Sequence, residues 1–409
     1  MKLQLTAPQS NLINSKIQIT GSKSETNRLL LLQALFPNLK IENLSNSDDA
    51  QVMQKGLKVS NGTVDIHHAG TAMRFLTSFF GSQEDKEVIL TGSDRMKERP
   101  IKVLVDALSD LGAEIDYVKN EGYPPIKIKG KKLSKSNVSL PANISSQYIS
   151  SLLLTAPSLE NGLILDLVGK ITSVPYIKMT LSLLNELDVK TEFKGNQIKV
   201  YPSKTVLEKI LTVESDWSAA SYFYSIAALS EIGSEIKLSS YKQNSLQGDS
   251  VLSEIYKVFG VETLFEENSI LLKKSTDLKY ETLNLELSNA PDIAQTIAVT
   301  CFGLGLGCHL TGLHTLPIKE TDRLAAMKTE LEKVGATVEI TDESLTLKQG
   351  GQMISDVAID TYNDHRMAMA FAPLALKISL KMNDAEVVSK SYPDFWKDME
   401  IIGIGIKKF

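Results

Sequence analysis

Residues 69–80, AGTAMRFLTSFF, and residues 99–115, RPIKVLVDALSDLGAEI, are two neighbouring segments whose pattern recurs along the whole chain. The first has a small or polar start and continues as a run of small and apolar residues, which is typical of a helix buried on most faces. The second has apolar residues at helical spacing and one polar face, and several copies end in Gly before a strand-like stretch such as ATVEI, residues 336–340. Together they predict a unit of strand, helix, strand, helix and strand.

Both segments occur six times, and from the second copy onward each recurs roughly every 70 to 76 residues. The buried type begins at Gly21, Ala69, Ser145, Ser215, Ala290 and Asn363, and the amphipathic type begins at Ser47, Arg99, Val174, Gly248, Glu320 and Tyr392. Six such units predict an α/β protein with two domains of three units each. The strand-like segment KLQLTAP precedes the first unit, so we expect domains of 21–213 and of 1–20 with 214–409.

Composition and charge restrict the class of protein. The chain has 409 residues, of which 43% are hydrophobic and 23% are charged, as in ordinary globular proteins. A net charge of −5 argues against nucleic acid or an anionic membrane as the main partner. The start, MKLQLTAPQS, lacks a signal peptide and no apolar run has the length of a membrane span, so we expect a cytoplasmic protein. Cys301 and Cys308 lie in an apolar run and predict core residues.

The polar starts of the buried helices are candidates for an anion site. The first turn of a helix exposes backbone N–H groups and a partial positive charge, and several of these starts also carry Lys or Arg. The alternative is that their Ser, Asp and Asn residues only cap helices. That alternative is favoured for the copy at Ser215, which has no cation.

Nine motifs, in this order, together resemble the 5-enolpyruvylshikimate-3-phosphate synthase (EPSP synthase) family: GSKSETNR, AGTAMR, RMKERP, SSQY, SVPY, PDIAQTIA, IKETDR, YNDHRMAM and KSYPDFW. The resemblance implies two inside-out α/β barrel domains, each of three βαβαββ units. It implies transfer of the enolpyruvyl group of phosphoenolpyruvate to the 5-hydroxyl of shikimate 3-phosphate, with release of phosphate, in aromatic amino acid biosynthesis. No cofactor and no metal are implied, and we expect a monomer.

The resemblance also implies how the two substrates are bound. The positions that match contacts to shikimate 3-phosphate are Lys23, Ser24, Arg28, Ser145, Ser146, Gln147, Ser173, Tyr176, Asp292 and Lys319. The positions that match contacts to phosphoenolpyruvate are Lys23, Gly70, Arg99, Gln147, Arg323, Arg366 and Lys390. In this scheme three serines, Ser145, Ser146 and Ser173, hold the shikimate phosphate, and a pair of arginines, Arg323 and Arg366, grips the carboxylate of phosphoenolpyruvate.

The implied catalytic residues are Asp292, Glu320 and Lys23, and how they divide the proton transfers stays open. An ordinary salt bridge from Glu320 to Arg323, three residues later, is compatible with this role. Arg74 and Arg95 could either support the site or form structural ion pairs. Because both halves supply cations to a protein that is acidic overall, we expect the two halves to close around the anionic substrates.

Two alternatives remain open at this stage. A UDP-N-acetylglucosamine enolpyruvyl transferase would have the same architecture but depends on a reactive loop cysteine. A non-catalytic anion-binding relative would keep the fold without Lys23, Asp292, Glu320 and Lys390, all of which are present. Three positions depart from the family pattern, namely His68, Phe75 and Thr315.

Overall fold

The computed structural model describes residues 1–143, 145–203, 208–276 and 282–409. This part of the chain divides into two compact units. The inserted unit comprises Ser22–Val213, and the terminal unit comprises Met1–Gly21 together with Glu214–Phe409. Each unit has its own sheets and its own buried helices.

The described residues contain strands in both units. They are β1 (Leu3–Thr6), β2 (Asn14–Ile17), β3 (Leu39–Glu42), β4 (Asn61–Asp65), β5 (Glu87–Thr91), β6 (Glu114–Tyr117), β7 (Ile126–Lys129), β8 (Asn137–Pro141), β9 (Leu163–Val168), β10 (Thr191–Lys194), β11 (Gln197–Val200), β12 (Lys209–Thr212), β13 (Glu235–Ser239), β14 (Val261–Glu266), β15 (Ser269–Lys274), β16 (Thr282–Glu286), β17 (Gly307–Thr311), β18 (Val338–Ile340), β19 (Leu345–Leu347), β20 (Val357–Ile359), β21 (Leu380–Met382) and β22 (Gly405–Lys408).

The helices are interleaved with these strands. They are α1 (Lys23–Leu35), α2 (Asp48–Leu57), α3 (Gly70–Gly81), α4 (Asp94–Lys97), α5 (Lys102–Leu111), α6 (Ser146–Thr155), α7 (Val174–Glu186), α8 (Trp217–Leu229), α9 (Leu252–Ile255), α10 (Ala294–Gly303), α11 (Arg323–Lys333), α12 (His365–Phe371) and α13 (Phe395–Ile402). Short 3-10 turns extend or precede several of them, including Gly248–Val251 and Pro291–Ile293.

The inserted unit has two four-stranded sheets, β4-β5-β7-β6 and β10-β11-β9-β8. In each, a parallel pair joined by a buried helix is followed by an antiparallel hairpin, as in the pair β4 and β5 with α3 between them. The first repeat differs, because among the described strands β3 pairs only with β12, in a two-stranded parallel sheet. Between α2 and β4 lie only residues 58–60, which is too short for a hairpin.

The terminal unit has three four-stranded sheets, β14-β15-β13-β2, β16-β17-β19-β18 and β20-β21-β1-β22. The amino-terminal strands each enter one of them. β2 pairs in parallel with β13, and β1 lies antiparallel between β21 and β22. The two amino-terminal strands therefore belong to the terminal unit, because they pair with strands that come much later in the sequence.

The two predicted kinds of helix differ in burial as expected. Every residue of α10 and α12 is buried, and so are all residues of α3 except Thr71. In α5, by contrast, apolar residues such as Leu104 and Leu108 are buried while Lys102 and Asp106 face water. These buried helices carry polar residues in their first turns, as the sequence predicted.

Two further sequence expectations concern the core and the membrane. Cys301 and Cys308 are both buried and unbridged, which confirms the prediction that they are core residues. Within the described ranges, none of the helices combines the length and the apolar character needed to span a bilayer.

Candidate active site

Arg28, on α1, is a buried cation among the helices of the inserted unit. Its side chain is only 3% exposed, and its pKa is lowered to about 10, chiefly because burial penalises the charged form. It donates to the hydroxyls of Thr180 and Ser150 at 2.8 and 3.1 Å and to the carbonyl of Ser24 at 2.7 Å. None of the ion pairs within the described residues includes Arg28. A buried guanidinium that forms no direct ion pair with a carboxylate is a ready partner for a ligand anion.

Aromatic rings hold the Arg28 guanidinium in place. Its central carbon lies 5.5 Å from the centre of the Phe75 ring and 6.0 Å from that of Tyr176. Phe75 belongs to α3, whereas Tyr176 and Thr180 belong to α7 and Ser150 to α6. Arg28 therefore lies where the early turns of these helices meet.

The predicted serines lie at the first turns of α6 and α7. Ser145 precedes α6, and its hydroxyl accepts from the backbone N–H of Gln147 at 3.4 Å. Ser146 is the first residue of α6 and is buried. Ser173 precedes α7 with φ of 53°, a left-handed conformation that costs energy for a serine, and its side chain does not cap the helix. Both helix starts combine backbone N–H groups with hydroxyls, as an anion site requires.

Gly70 and Arg99 form a second contact in the inserted unit. A Cβ atom on Gly70 would lie 2.6 Å from the Arg99 Nη1 atom, so only glycine permits this approach. Arg74 donates to the carbonyls of Gly70 and Pro100 at 3.2 and 3.0 Å. Arg74 thus links the start of α3 to the residue that follows Arg99, whereas Arg95 forms an exposed ion pair with Glu98 at 3.1 Å.

Lys23 and Gln147 have partners within the inserted unit. The ammonium of Lys23, the first residue of α1, lies 3.4 Å from the buried carboxylate of Asp49. Gln147 donates from Nε2 to the hydroxyl of Thr71 at 3.2 Å. Asp49 was not among the predicted site residues. The only signal for it was its place at the start of α2, where acidic residues are common for other reasons.

The terminal unit contains a charge cluster of Asp292, Lys319, Glu320, Arg323, Asp364, Arg366 and Lys390. Arg323 is its centre, and the Arg323 side chain is 2% exposed. Its three guanidinium nitrogens donate to Asp292 at 2.8 Å, to Glu320 at 2.8 Å and to Asp364 at 2.7 Å. The predicted salt bridge between Glu320 and Arg323 is confirmed. One buried guanidinium thus fixes three carboxylates from separate segments.

The remaining cations surround the same carboxylates. Lys390 donates to Glu320 at 2.7 Å, and the Lys319 ammonium lies 3.5 Å from Asp292. Arg366 lies 3.3 Å from the other oxygen of Asp292 and donates to its backbone carbonyl at 3.2 Å. Asp292 is therefore contacted by three cations.

These contacts shift the pKa values. Burial alone would raise the pKa of Asp292, but Arg366, Lys319 and Arg323 together hold it well below its ordinary value. Burial lowers the pKa of Lys319, partly offset by Asp292. Burial also opposes the charge of Arg323, yet its three carboxylates raise its pKa above the ordinary value. Asp292 is consequently ionised across the neutral range.

Asp364 is a residue that the sequence prediction missed. It is fully buried, caps α12 by accepting from the backbone N–H of Arg366 at 2.9 Å, and binds Arg323 with its other oxygen. The available signal was its place before a helix within NDHRMAM, which also fits an ordinary cap. Its second contact depends on a residue 41 positions away.

A family model described as EPSP synthase (3-phosphoshikimate 1-carboxyvinyltransferase) matches residues 58–399. The chain belongs to the EPSP synthase family. Among curated members, the 3-phosphoshikimate 1-carboxyvinyltransferase of Bacteroides fragilis strain YCH46 is 44% identical over 412 residues, covering 100% of this chain and 99% of the relative. That of Haemophilus influenzae strain Rd is 35% identical and covers 98% and 99% of the two chains.

Solved structures support the fold. An EPSP synthase from Acinetobacter baumannii has a TM-score of 0.81 at 20% identity and covers all of both chains. The enolpyruvyl transferase NikO from Streptomyces tendae has a TM-score of 0.75 at 12% identity, with coverage of 99% and 98%. At these identities the likeness is one of fold, and it confirms the predicted enolpyruvyl transferase fold.

The three departures from the EPSP synthase pattern have distinct surroundings. His68 shares a hydrogen bond of 2.9 Å with the Ser93 hydroxyl. Phe75 is fully buried and supports Arg28 through its ring, as described above. The Thr315 hydroxyl oxygen is buried and has no hydrogen-bond partner within the described ranges. None of the three removes a charged group from the candidate site.

Proposed function

We propose that this chain transfers the enolpyruvyl group of phosphoenolpyruvate to the 5-hydroxyl of shikimate 3-phosphate and releases phosphate. The observation that carries this proposal is the pair Asp292 and Glu320, held by one buried arginine among three further cations. Such a cluster can bind a substrate with several negative charges and move protons beside it. Membership of the EPSP synthase family supports the choice of substrates.

In this proposal, the inserted unit binds shikimate 3-phosphate. The buried Arg28, with Ser24 beside it, receives the substrate carboxylate. The hydroxyls of Ser145, Ser146 and Ser173 and the N–H groups of two helix starts receive its phosphate, with Tyr176 and Gln147 adjacent. Arg28 forms no ion pair with a described carboxylate, and the attraction of the nearby Glu25 is smaller than the effect of burial, so a ligand anion relieves part of the cost of its burial.

Phosphoenolpyruvate is the second ligand. Arg323 and Arg366 present planar guanidinium groups to its carboxylate, which would compete with Asp292 for them. Lys23, Gly70, Arg99, Gln147 and Lys390 are assigned to its phosphate. The approach of Arg99 to the Gly70 backbone makes a compact donor surface, and a larger residue at position 70 would displace the guanidinium.

The proposed reaction needs three proton transfers. The 5-hydroxyl oxygen bonds to C2 of phosphoenolpyruvate and loses its proton, while C3 gains one and gives a tetrahedral intermediate. The bond from C2 to the phosphate oxygen then breaks, C3 loses a proton, and inorganic phosphate leaves. Asp292 and Glu320 share these transfers, with Lys319 near the substrate hydroxyls and Lys23 near the leaving phosphate.

A UDP-N-acetylglucosamine enolpyruvyl transferase is not favoured. Both cysteines are buried, and the Cys308 thiol together with burial raises the pKa of Cys301 well above its ordinary value. A reactive cysteine requires the opposite, a lowered pKa and access to solvent.

The proposed activity predicts phosphate release only when both substrates are present. Purified protein with phosphoenolpyruvate and shikimate 3-phosphate should release phosphate continuously, and omission of either substrate should abolish it. Mass spectrometry should detect a product carrying the enolpyruvyl group. Substitution of UDP-N-acetylglucosamine for shikimate 3-phosphate is the control. Turnover with that acceptor, or none with either, would contradict the proposal.

Removal of two hydroxyls tests whether Ser145 and Ser146 bind the phosphate of shikimate 3-phosphate. The double variant Ser145→Ala with Ser146→Ala should raise the KM for shikimate 3-phosphate at least about tenfold, the scale of hydrogen bonds to a charged group. The KM for phosphoenolpyruvate should change by less than about twofold, because these hydroxyls are assigned to one ligand. Steady-state kinetics measure both constants.

Ser158→Ala is the matched control for this double variant. Ser158 lies just beyond the other end of α6, where its hydroxyl donates to the carbonyl of Thr155 at 2.7 Å. Its loss should lower thermal stability slightly and leave both KM values unchanged. Equal weakening of both substrates in the double variant would contradict the assignment.

A further inference from the structure

A buried carboxylate lies behind Arg366, on the far side of a serine. Arg366 donates from Nη2 to the hydroxyl oxygen of Ser218 at 3.2 Å, and that hydroxyl donates its own proton to Oδ2 of Asp249. Ser218 lies in the first turn of α8, and Asp249 lies in the 3-10 turn Gly248–Val251. Since the single hydroxyl proton points to Asp249, a lone pair of the oxygen is directed to Arg366.

The surroundings of Asp249 are unfavourable for a charge. It is 3% exposed, its other oxygen has no hydrogen-bond partner within the described ranges, and it takes part in no ion pair there. Burial, followed by repulsion from Asp292, raises its pKa to about 6, while Arg366 and the Ser218 hydrogen bond oppose the rise and Asp216 adds to it.

The raised pKa of Asp249 has a consequence for stability. A folded-state pKa above the ordinary 3.8 means that the folded protein favours the protonated form. That stabilisation is complete below about pH 4 and is lost as the pH rises through about 6. At neutral pH the ionised Asp249 therefore lowers the stability of the fold. The role of Asp249 follows from its connection through Ser218 to Arg366.

We infer that Asp249 is a positioning residue which acts through Ser218 to hold the Arg366 guanidinium in the orientation that receives the carboxylate of phosphoenolpyruvate. This inference rests on the proposed function. Arg366 is held from two sides: Nη1 donates to the Asp292 backbone carbonyl, and Nη2 donates to the Ser218 hydroxyl and lies 3.3 Å from Oδ2 of Asp292. When the carboxylate of phosphoenolpyruvate competes with that of Asp292 for Arg366, the Ser218 hydroxyl remains at Nη2 to fix the plane of the guanidinium, and its loss lets the plane rotate.

Asp249→Asn tests the inference with little change of shape. The KM for phosphoenolpyruvate should rise about tenfold at pH 8, the scale of one hydrogen bond to a charged group, with kcat and the KM for shikimate 3-phosphate nearly unchanged. Because phosphate groups of the substrates also ionise near pH 6, the readout is the ratio of kcat/KM for wild type to that for the variant. This ratio should fall toward one at pH 5, where Asp249 itself is protonated.

Ser218→Ala should give the same rise in KM, and the double variant should be no worse than either single variant, because both act on one contact. Asp398→Asn is the matched control. Asp398 is a buried carboxyl in the same unit that accepts from the Tyr392 hydroxyl at 2.6 Å, and its pKa is also raised by burial. It should leave both KM values unchanged.

Four outcomes would overturn the inference. One is a ratio that is constant with pH, and another is an equal rise of both KM values with a lower melting temperature, which would mark a structural role. An active wild type with an indistinguishable Asp249→Asn variant would overturn this inference alone. A wild type that turns over neither substrate would overturn the proposed function and this inference with it.

Discussion

Asp292→Asn is expected to lower kcat by about a hundredfold or more while leaving both substrates able to bind, the scale for removing a general acid or base. The carboxylate of Asp292 is contacted by Arg323, Arg366 and Lys319, which keep it ionised. An amide has nearly the same shape and keeps an acceptor oxygen for Arg323, but it cannot accept the proton of the 5-hydroxyl.

Substrate affinity should not fall in this variant, because it removes a negative charge from a site for anions. Single-turnover kinetics and equilibrium titration separate the chemical step from binding. Asp360→Asn is the control, since Asp360 is also ion-paired, to Lys333 at 2.7 Å, with a pKa lowered by that contact. It should leave kcat unchanged. If Asp292→Asn loses binding and turnover equally, Asp292 only organises the arginines and the catalytic assignment is wrong.

Glu320→Gln is the second variant with a large expected effect, again a fall in kcat of about a hundredfold or more. Both Glu320 oxygens face cations, Arg323 at 2.8 Å and Lys390 at 2.7 Å. Glutamine places an NH₂ group against one of these donors, so local rearrangement accompanies the loss of the proton-transfer group. Exchange of solvent deuterium into the methylene of phosphoenolpyruvate measures the loss directly.

Two further variants separate chemistry from packing at Glu320. Glu320→Asp keeps a carboxylate and should recover part of the lost rate. Glu330→Gln changes a fully buried carboxylate on α11, the helix that follows Glu320, where it accepts from Lys333 at 2.8 Å and from the Tyr362 hydroxyl. It should lower thermal stability without a comparable loss of kcat. A Glu320→Gln variant that exchanges deuterium at the wild-type rate would exclude Glu320 from the methylene step.

The helices and sheets were largely accessible to sequence reasoning, and the reason is local. Burial on most faces leaves a composition of small and apolar residues, as in α10, and burial on one face leaves helical spacing, as in α5. The first repeat shows the limit of this reasoning. Its helices follow the pattern, but β3 pairs with β12. In this pair Glu42 lies opposite Thr212, which comes 170 residues later in the sequence. Nothing in the local pattern specifies such a partner.

The sequence by itself determined the α/β class, the sixfold repeat and, through nine motifs, the EPSP synthase family with its candidate charged residues. Only the tertiary structure decided which charges meet: Arg28 with hydroxyls and rings, Arg323 with three carboxylates, and Arg366 with Asp249 through Ser218. The physical reason is distance. Periodicity records the burial of neighbours along one helix or strand, whereas the energy of an ion pair or hydrogen bond depends on ångström-scale separations between segments that only folding brings together.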